Sequence, residues 1–163
     1  MNATHPSKSA GPLLMRLLAC LVLVIVSTTT VALGSADQAR ATPAACDGNA
    51  VVGVFQRVGS GASFSFNGRS VELQNESIFD TYSRAEIKSG RQSGDLVWID
   101  RSYRRFELSF KGIVDDATAK SQGWKQCGPF SGNRTQSVIN SVYASRACAQ
   151  LNGVIRCGAW YVD

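Results

Sequence analysis

Histidine is almost missing from this chain. The single one, His5, stands among polar residues near the start. The serine triad, the cysteine–histidine pair and the usual metal hydrolases need an imidazole at the reacting centre, so none of them is expected. Methionine occurs only as Met1 and Met15. A phosphate loop, a dinucleotide fingerprint, a calcium loop and a 20–50-residue internal repeat are all absent from the sequence. No cofactor, metal or catalytic residue is therefore assigned. Charge of one sign is lacking as well. Beyond residue 41 there remain fourteen Lys and Arg against eleven Asp and Glu, too even a balance to argue for a nucleic acid partner.

What is present begins with an export signal. Met1 to Gly11 is polar with Lys8, and Arg16 leads into the apolar run Leu17 to Val26. A basic start, a short apolar core and a small-residue exit mark a secretory signal. Ala39-Arg40-Ala41 fits the small-x-small cleavage pattern, and Gly34-Ser35-Ala36 offers a second cut. The rival is an uncleaved membrane anchor. Ser27-Thr28-Thr29-Thr30 interrupts the run short of the roughly 20 residues that span a bilayer, so cleavage is favoured. The division expected is a signal peptide over 1–41 and a secreted, extracellular domain over 42–163, a size suited to one core.

Four cysteines remain in that domain: Cys46, Cys127, Cys148 and Cys157. An even count in a small exported domain reads as two disulfides. Their pairing follows from register. Asn152-Gly153 is a two-residue hairpin turn that sets Leu151 opposite Val154, and counting outward reaches Cys148 opposite Cys157. That position is a non-hydrogen-bonded pair, whose Cα spacing of about 4.5 Å suits a disulfide. Cys46 is left for Cys127. The chain-entropy model assigns about 2.7 kcal/mol to the short loop and about 4.5 kcal/mol to the long one.

Asn67-Gly68 marks a second hairpin. It sets Phe64 against Val71 and Ala62 against Leu73, while Ser63, Ser65, Ser70 and Glu72 point to the wet face. Further strands are read at Val51 to Arg57, Tyr82 to Lys88 (weaker), Leu96 to Ile99 (apolar on both faces, hence central), Ser137 to Gln150 and Val154 to Val162. Alternation adds a strand carrying Phe106, Leu108 and Phe110, and Asp115 to Ser121 is the one candidate helical turn. Repeated short strands between Gly, Asn and Ser breaks predict an all-β fold, an antiparallel sandwich or barrel-like domain. Its core should hold Phe64, Val71, Leu73, Val97, Trp98, Ile99, Phe106, Leu108 and Phe110.

With His and free thiols gone, carboxylates are the remaining catalytic groups, and a glycosidase needs only two. Asp100, closing a buried strand, is the most interesting, although a cap or an ion pair to Arg101 or Arg84 is the commoner role. Trp98 and Trp160 read as core. Trp124, between Gly123 and Lys125, is the tryptophan best placed to be exposed. With Tyr103, Arg104 and Arg105 it forms the candidate binding set, since aromatic faces beside guanidinium groups suit sugars or anionic polymers. The bland alternative, a packed Trp124 and a solvated arginine pair, ranks above it. Asn75-Glu76-Ser77 and Asn133-Arg134-Thr135 match the N-glycosylation triplet.

Three segments together carry a resemblance: Val71-Glu72-Leu73 followed by Tyr82-Ser83-Arg84; Asp95 to Ser102; and Arg146-Ala147-Cys148 with Arg156 to Tyr161. This resembles a secreted actinobacterial all-β domain, found alone or attached to exported hydrolases, whose function is not established. The chain departs from that pattern at Ile78-Phe79, where the family has a cysteine, and at Tyr103-Arg104-Arg105, where it has a Gly-rich, Asp-containing turn. The resemblance implies fold and compartment only. The functional expectation is a secreted non-catalytic binding or accessory module for a glycan, a cell-envelope polymer or a secreted protein. The alternatives are an inhibitor of a secreted hydrolase acting through Gly128 to Asn133 and, last, a carboxylate-only glycosidase.

Overall fold

The structure is a computed structural model that describes residues 45–48, 53–59, 61–79 and 81–163. The expected export segment and Val51-Val52 lie outside the described residues. Asp37–Asp163 forms a compact unit of its own.

The chain builds two antiparallel sheets, as expected of a sandwich. The strands are β1 Phe55–Arg57, β2 Phe64–Phe66, β3 Arg69–Glu76, β4 Tyr82–Ser89, β5 Leu96–Arg105, β6 Gly112–Val114, β7 Trp124–Phe130, β8 Val138–Ile139, β9 Tyr143–Leu151, β10 Val154–Cys157 and β11 Trp160–Val162. Among the described residues there is one helix, α1 Asp116–Ser121, which starts at Asp115, whose carboxylate accepts the Thr118 N–H as an N-cap. The first sheet runs β1-β3-β4-β8 with β2 also on β3. The second runs β6-β11-β9-β5-β7 with β10 also on β9.

Local turn chemistry sets both hairpin registers. Asn67 and Gly68 have φ of 49° and 74°, and Asn152 and Gly153 have 50° and 77°. These are the paired positive values that a type I′ turn requires. Phe64 lies opposite Val71, and Cys148 lies opposite Cys157. Both disulfides form as the register predicts, with Cα separations of 4.0 Å for Cys148–Cys157 and 4.7 Å for Cys46–Cys127.

The main core lies between the sheets. Val71, Leu73, Ala85, Ile87 and Val138 from the first face Val97, Ile99, Cys127, Ala147, Ala149 and Leu151 from the second. A smaller cluster of Val114, Ala119, Ala144, Trp160 and Val162 sits on the far side of the second sheet. Phe64 is half-buried against the main core, and Trp98 is buried on the disulfide side, opposite Cys148.

Several expectations are corrected. Phe106, Leu108 and Phe110 do not form a strand. They lie in a loop closed by the Phe110 N–H on the Glu107 carbonyl, and Leu108 is 88 % exposed. Alternation made them look like a strand, but only the Phe106 N–H continues the pairing, onto the Val142 carbonyl at 2.7 Å, before the chain turns away. Phe106 packs on the smaller cluster instead. Ser63 is not on a wet face. Its hydroxyl is buried, donating to the Val58 carbonyl at 2.7 Å and accepting from the Leu73 N–H at 3.1 Å. The stretch from Ser137 to Gln150 breaks at a turn in which the Tyr143 N–H bonds the Asn140 carbonyl. Tyr82–Ser89, the weaker candidate, is an interior strand between β3 and β8.

Where β4 crosses to β5 the sheets are joined by a buried ion pair. Arg69 is 3 % exposed and Asp95 1 %. Arg69 Nε and Nη2 donate to the Asp95 oxygens at 3.0 and 3.3 Å. The guanidinium also bonds the Asn67 carbonyl, Gln92 Oε1 and Asn152 Oδ1 at 2.7–2.8 Å. At the second sheet's other side, the Ala159 N–H bonds the Gly61 carbonyl at 2.9 Å. There a Cβ on Gly158 would come within 2.1 Å of the Ala62 carbonyl oxygen, so the crossing requires glycine.

Burial alone would raise the Asp95 carboxyl. The Arg69 hydrogen bonds, the N–H groups of Gln92 and Asn152 and the Arg69 charge outweigh it and hold the group below the ordinary carboxylate value. Removing one partner leaves the other as an uncompensated buried charge. Arg69→Met and Asp95→Leu are each expected to cost about 3–5 kcal/mol in urea unfolding. The double substitution should cost much less than their sum. Additive losses would show that the two groups act separately.

Candidate functional site

The two segments of the sequence-derived binding set do meet. β5 and β7 pair so that Ser102 lies opposite Trp124, and the Tyr103 N–H bonds the Gly123 carbonyl at 2.9 Å. Gly123 has φ of +65°, and a Cβ there would lie 2.9 Å from the Tyr103 ring. Trp124, however, is half-buried and meets Trp160 edge-on, with centroids 6.4 Å apart at 70°. Arg105 Nε donates to the Tyr143 hydroxyl at 3.2 Å and stands over that ring. Tyr103 and Arg104 are exposed. Trp124 is thus engaged in internal packing, Arg105 is exposed but held on Tyr143, and Tyr103 and Arg104 are presented. The Gly128 to Asn133 segment is tied down: Ile87 N–H bonds the Asn133 carbonyl at 2.7 Å, and Arg91 donates to the carbonyls of Ser131 and Gly132.

Asp100 finds neither Arg101 nor Arg84. Its partner is Arg146, which the pairing of β5 with β9 places opposite it. Arg146 Nε donates to Asp100 Oδ2 at 2.8 Å and Nη1 to Asp116 Oδ1 at 2.8 Å. The indole N–H of Trp160 also donates to that Asp116 oxygen, at 3.0 Å. The guanidinium lies 4.4 Å from the Trp160 ring centre and 5.6 Å from that of Trp124, a cation–π arrangement on both. Two carboxylates with displaced proton affinities beside two tryptophans have the ingredients of a glycosidase. Access decides against that role in this conformation: Asp100 is 1 % exposed and Trp160 is fully buried. Asp100, Cys148 and Cys157 place three potential metal-ligand atoms within 4.8 Å. As a disulfide the sulfurs offer no thiolate, and Asp100 Oδ2 already serves Arg146.

A different region is open to ligand. Between the β1 edge of the first sheet and the β11 end of the second lies a cleft of about 310 Å³. β1 and the residues after it contribute Gln56, Arg57 and Val58, and the end of β3 contributes Asn75 to Ser77. Lys111, Tyr161 and Asp163 close the other wall. Asp163 accepts the Asn75 amide at 2.6 Å and the Lys111 ammonium at 2.5 Å. Asn75, singled out by sequence only as a glycosylation triplet, is buried. One signal could have revealed this: it shares strand parity with Val71 and Leu73 and so faces inward. The far wall was not legible, because nothing local links Lys111 or Asp163 to β3.

Asp100 makes a testable electrostatic claim. Burial pushes it up to about 6 against the pull of Arg146 and Lys120, with Asp116 adding repulsion. Asp116 is held below the ordinary value, first by Lys120 and also by Trp160 and Arg146, against its own partial burial. Because the folded state holds the Asp100 proton more tightly than the unfolded chain, its stabilising contribution is present below about pH 4 and lost as pH rises through about 6. Relative to Asp100→Asn, the wild-type chain should lose about 2 kcal/mol of unfolding free energy between pH 4 and 7. Urea titrations at the two pH values check this, and a difference that stays constant would refute it.

No protein-family model, curated protein or solved structure matches the chain.

Proposed function

We propose that the domain is a secreted, non-catalytic binding module whose cleft takes a hydroxyl-rich unit of a glycan or cell-envelope polymer. The observation that carries this reading is the composition of the cleft. Amide, carboxylate, ammonium and guanidinium residues, Gln56, Asn75, Asp163, Lys111 and Arg57, line it together with Val58 and Tyr161. Sugar hydroxyls donate and accept at once, so they match a wall that mixes donors with acceptors, and an aromatic ring offers a face for the C–H side of the sugar. The volume lies at the lower end for small-ligand sites, in keeping with one or two sugar units held from an open edge. Of the two described carboxylates that line the cleft, Glu76 and Asp163, the latter is already shared between Asn75, Lys111 and Asn140, which suits holding a ligand better than transferring a proton. Two disulfides are compatible with an oxidising extracellular setting.

The experiment is retention of the chain on insoluble chitin, cellulose and peptidoglycan. Gln56→Ala with Arg57→Ala alters two exposed side chains and should leave unfolding free energy within about 0.5 kcal/mol while weakening retention at least tenfold. Trp124→Ala should do the reverse, lowering the melting temperature and leaving retention intact. Failure to bind any of the three polymers, or retention indifferent to the cleft substitutions, would overturn the reading.

A further inference from the structure

Two turns flank the cleft, and both present large apolar side chains to solvent. Ser77 lines the cleft and leads into Ile78 and Phe79, both exposed, the latter by 77 %. Val54 joins them, since its carbonyl accepts both the Ser77 N–H at 2.9 Å and the Ser77 hydroxyl at 3.0 Å, and its own side chain is exposed. On the opposite wall Lys111 follows the turn that carries Leu108 and Phe110, again exposed. Asn75 and Lys111 meet on the Asp163 carboxylate, which places both turns at the same end of the sandwich.

A single exposed leucine needs no explanation. Four large apolar side chains at the apices of two neighbouring turns, with Val54 beside them, do need one. Cations adjoin the second turn in sequence: Arg104 and Arg105 before it and Lys111 after it, all exposed, with Arg105 also on the Tyr143 hydroxyl and Lys111 also on the Asp163 carboxylate. The described acid in that turn is Glu107; Asp80, next to Phe79 in sequence, lies outside the described residues. Apolar tips that protrude separately, backed by basic side chains, match a bilayer interface, where the tips reach the acyl boundary and the cations meet anionic headgroups.

We infer that this end of the domain docks on an anionic lipid surface, with Phe79 and Leu108 as its principal inserting side chains. The inference goes beyond the polymer-binding reading and does not require it.

The test is co-sedimentation of residues 37–163, the compact unit, with vesicles of equimolar phosphatidylglycerol and phosphatidylcholine and with vesicles of phosphatidylcholine alone. Expected are binding to the anionic vesicles, a marked loss on neutral ones or at high salt, and at least a tenfold loss with Phe79→Ser plus Leu108→Ser, two exposed positions whose change leaves the fold intact. Polymer retention by that double variant should be unchanged, and Gln56→Ala with Arg57→Ala should still bind vesicles, which keeps the two readings separable. No vesicle binding, or binding indifferent to the double substitution, would overturn the inference. So would concentration-dependent self-association that the double substitution abolishes in the absence of lipid binding, since it would assign the face to a second copy of the chain.

Discussion

The buried guanidinium of Arg69 is the point on which the two sheets depend. It sits on the inner face of the first sheet, where a charge is most costly to desolvate. Every direction it donates in is met by a different segment: Asp95 from the crossover, Gln92 from the turn before it, Asn67 from its own hairpin and Asn152 from the hairpin of the other sheet. An arginine is suited to this task because its planar fork holds several acceptors in fixed directions. Apolar burial between the sheets is non-directional, whereas the hydrogen bonds to Arg69 have fixed directions. One charged side chain therefore sets the alignment that the core then fills.

The second buried ion pair has a different character. Asp95 receives hydrogen bonds on both oxygens and is held ionised, whereas Asp100 Oδ1 has no partner and burial favours its protonated form. Arg146 serves two carboxylates and two indole rings at once. It organises the small cluster under α1, and through it the half-buried Trp124 is drawn into packing. Trp124, the one tryptophan offered as a ligand contact, and Trp160, read as core, together shelter a guanidinium.

How much of this was legible depended on how local the determinant is. The two Asn-Gly turns carry their conformation in two residues, so the hairpins, the facing of Val71 and Leu73 and the Cys148–Cys157 pair all followed. Arg69 was within reach too, since it has the same strand parity as Val71 and Leu73 and so had to point inward. Long-range partners were not legible. Asp100 meets Arg146 only because β5 and β9 become neighbours, and no local pattern specifies that. Leu108 and Phe110 misled for the opposite reason: alternation describes a strand that has a partner, and in a loop the same pattern simply exposes apolar groups. The cleft belongs to the long-range class, since its two walls come from different sheets.

The position of β11 has a consequence for the order in which the molecule can be assembled. Among the described strands β6 pairs with β11 alone, and the Gly158 crossing seats β11 against the turn that precedes β2. Synthesis runs from the N-terminus, so β6 is made some 45 residues before its neighbour exists. The apolar faces of Val114 and Ala144 stay uncovered over that interval. Half-made chains cannot settle into a shortened version of the second sheet with its edge satisfied. Closure of that edge of the second sheet must wait for the last strand of the chain to be made.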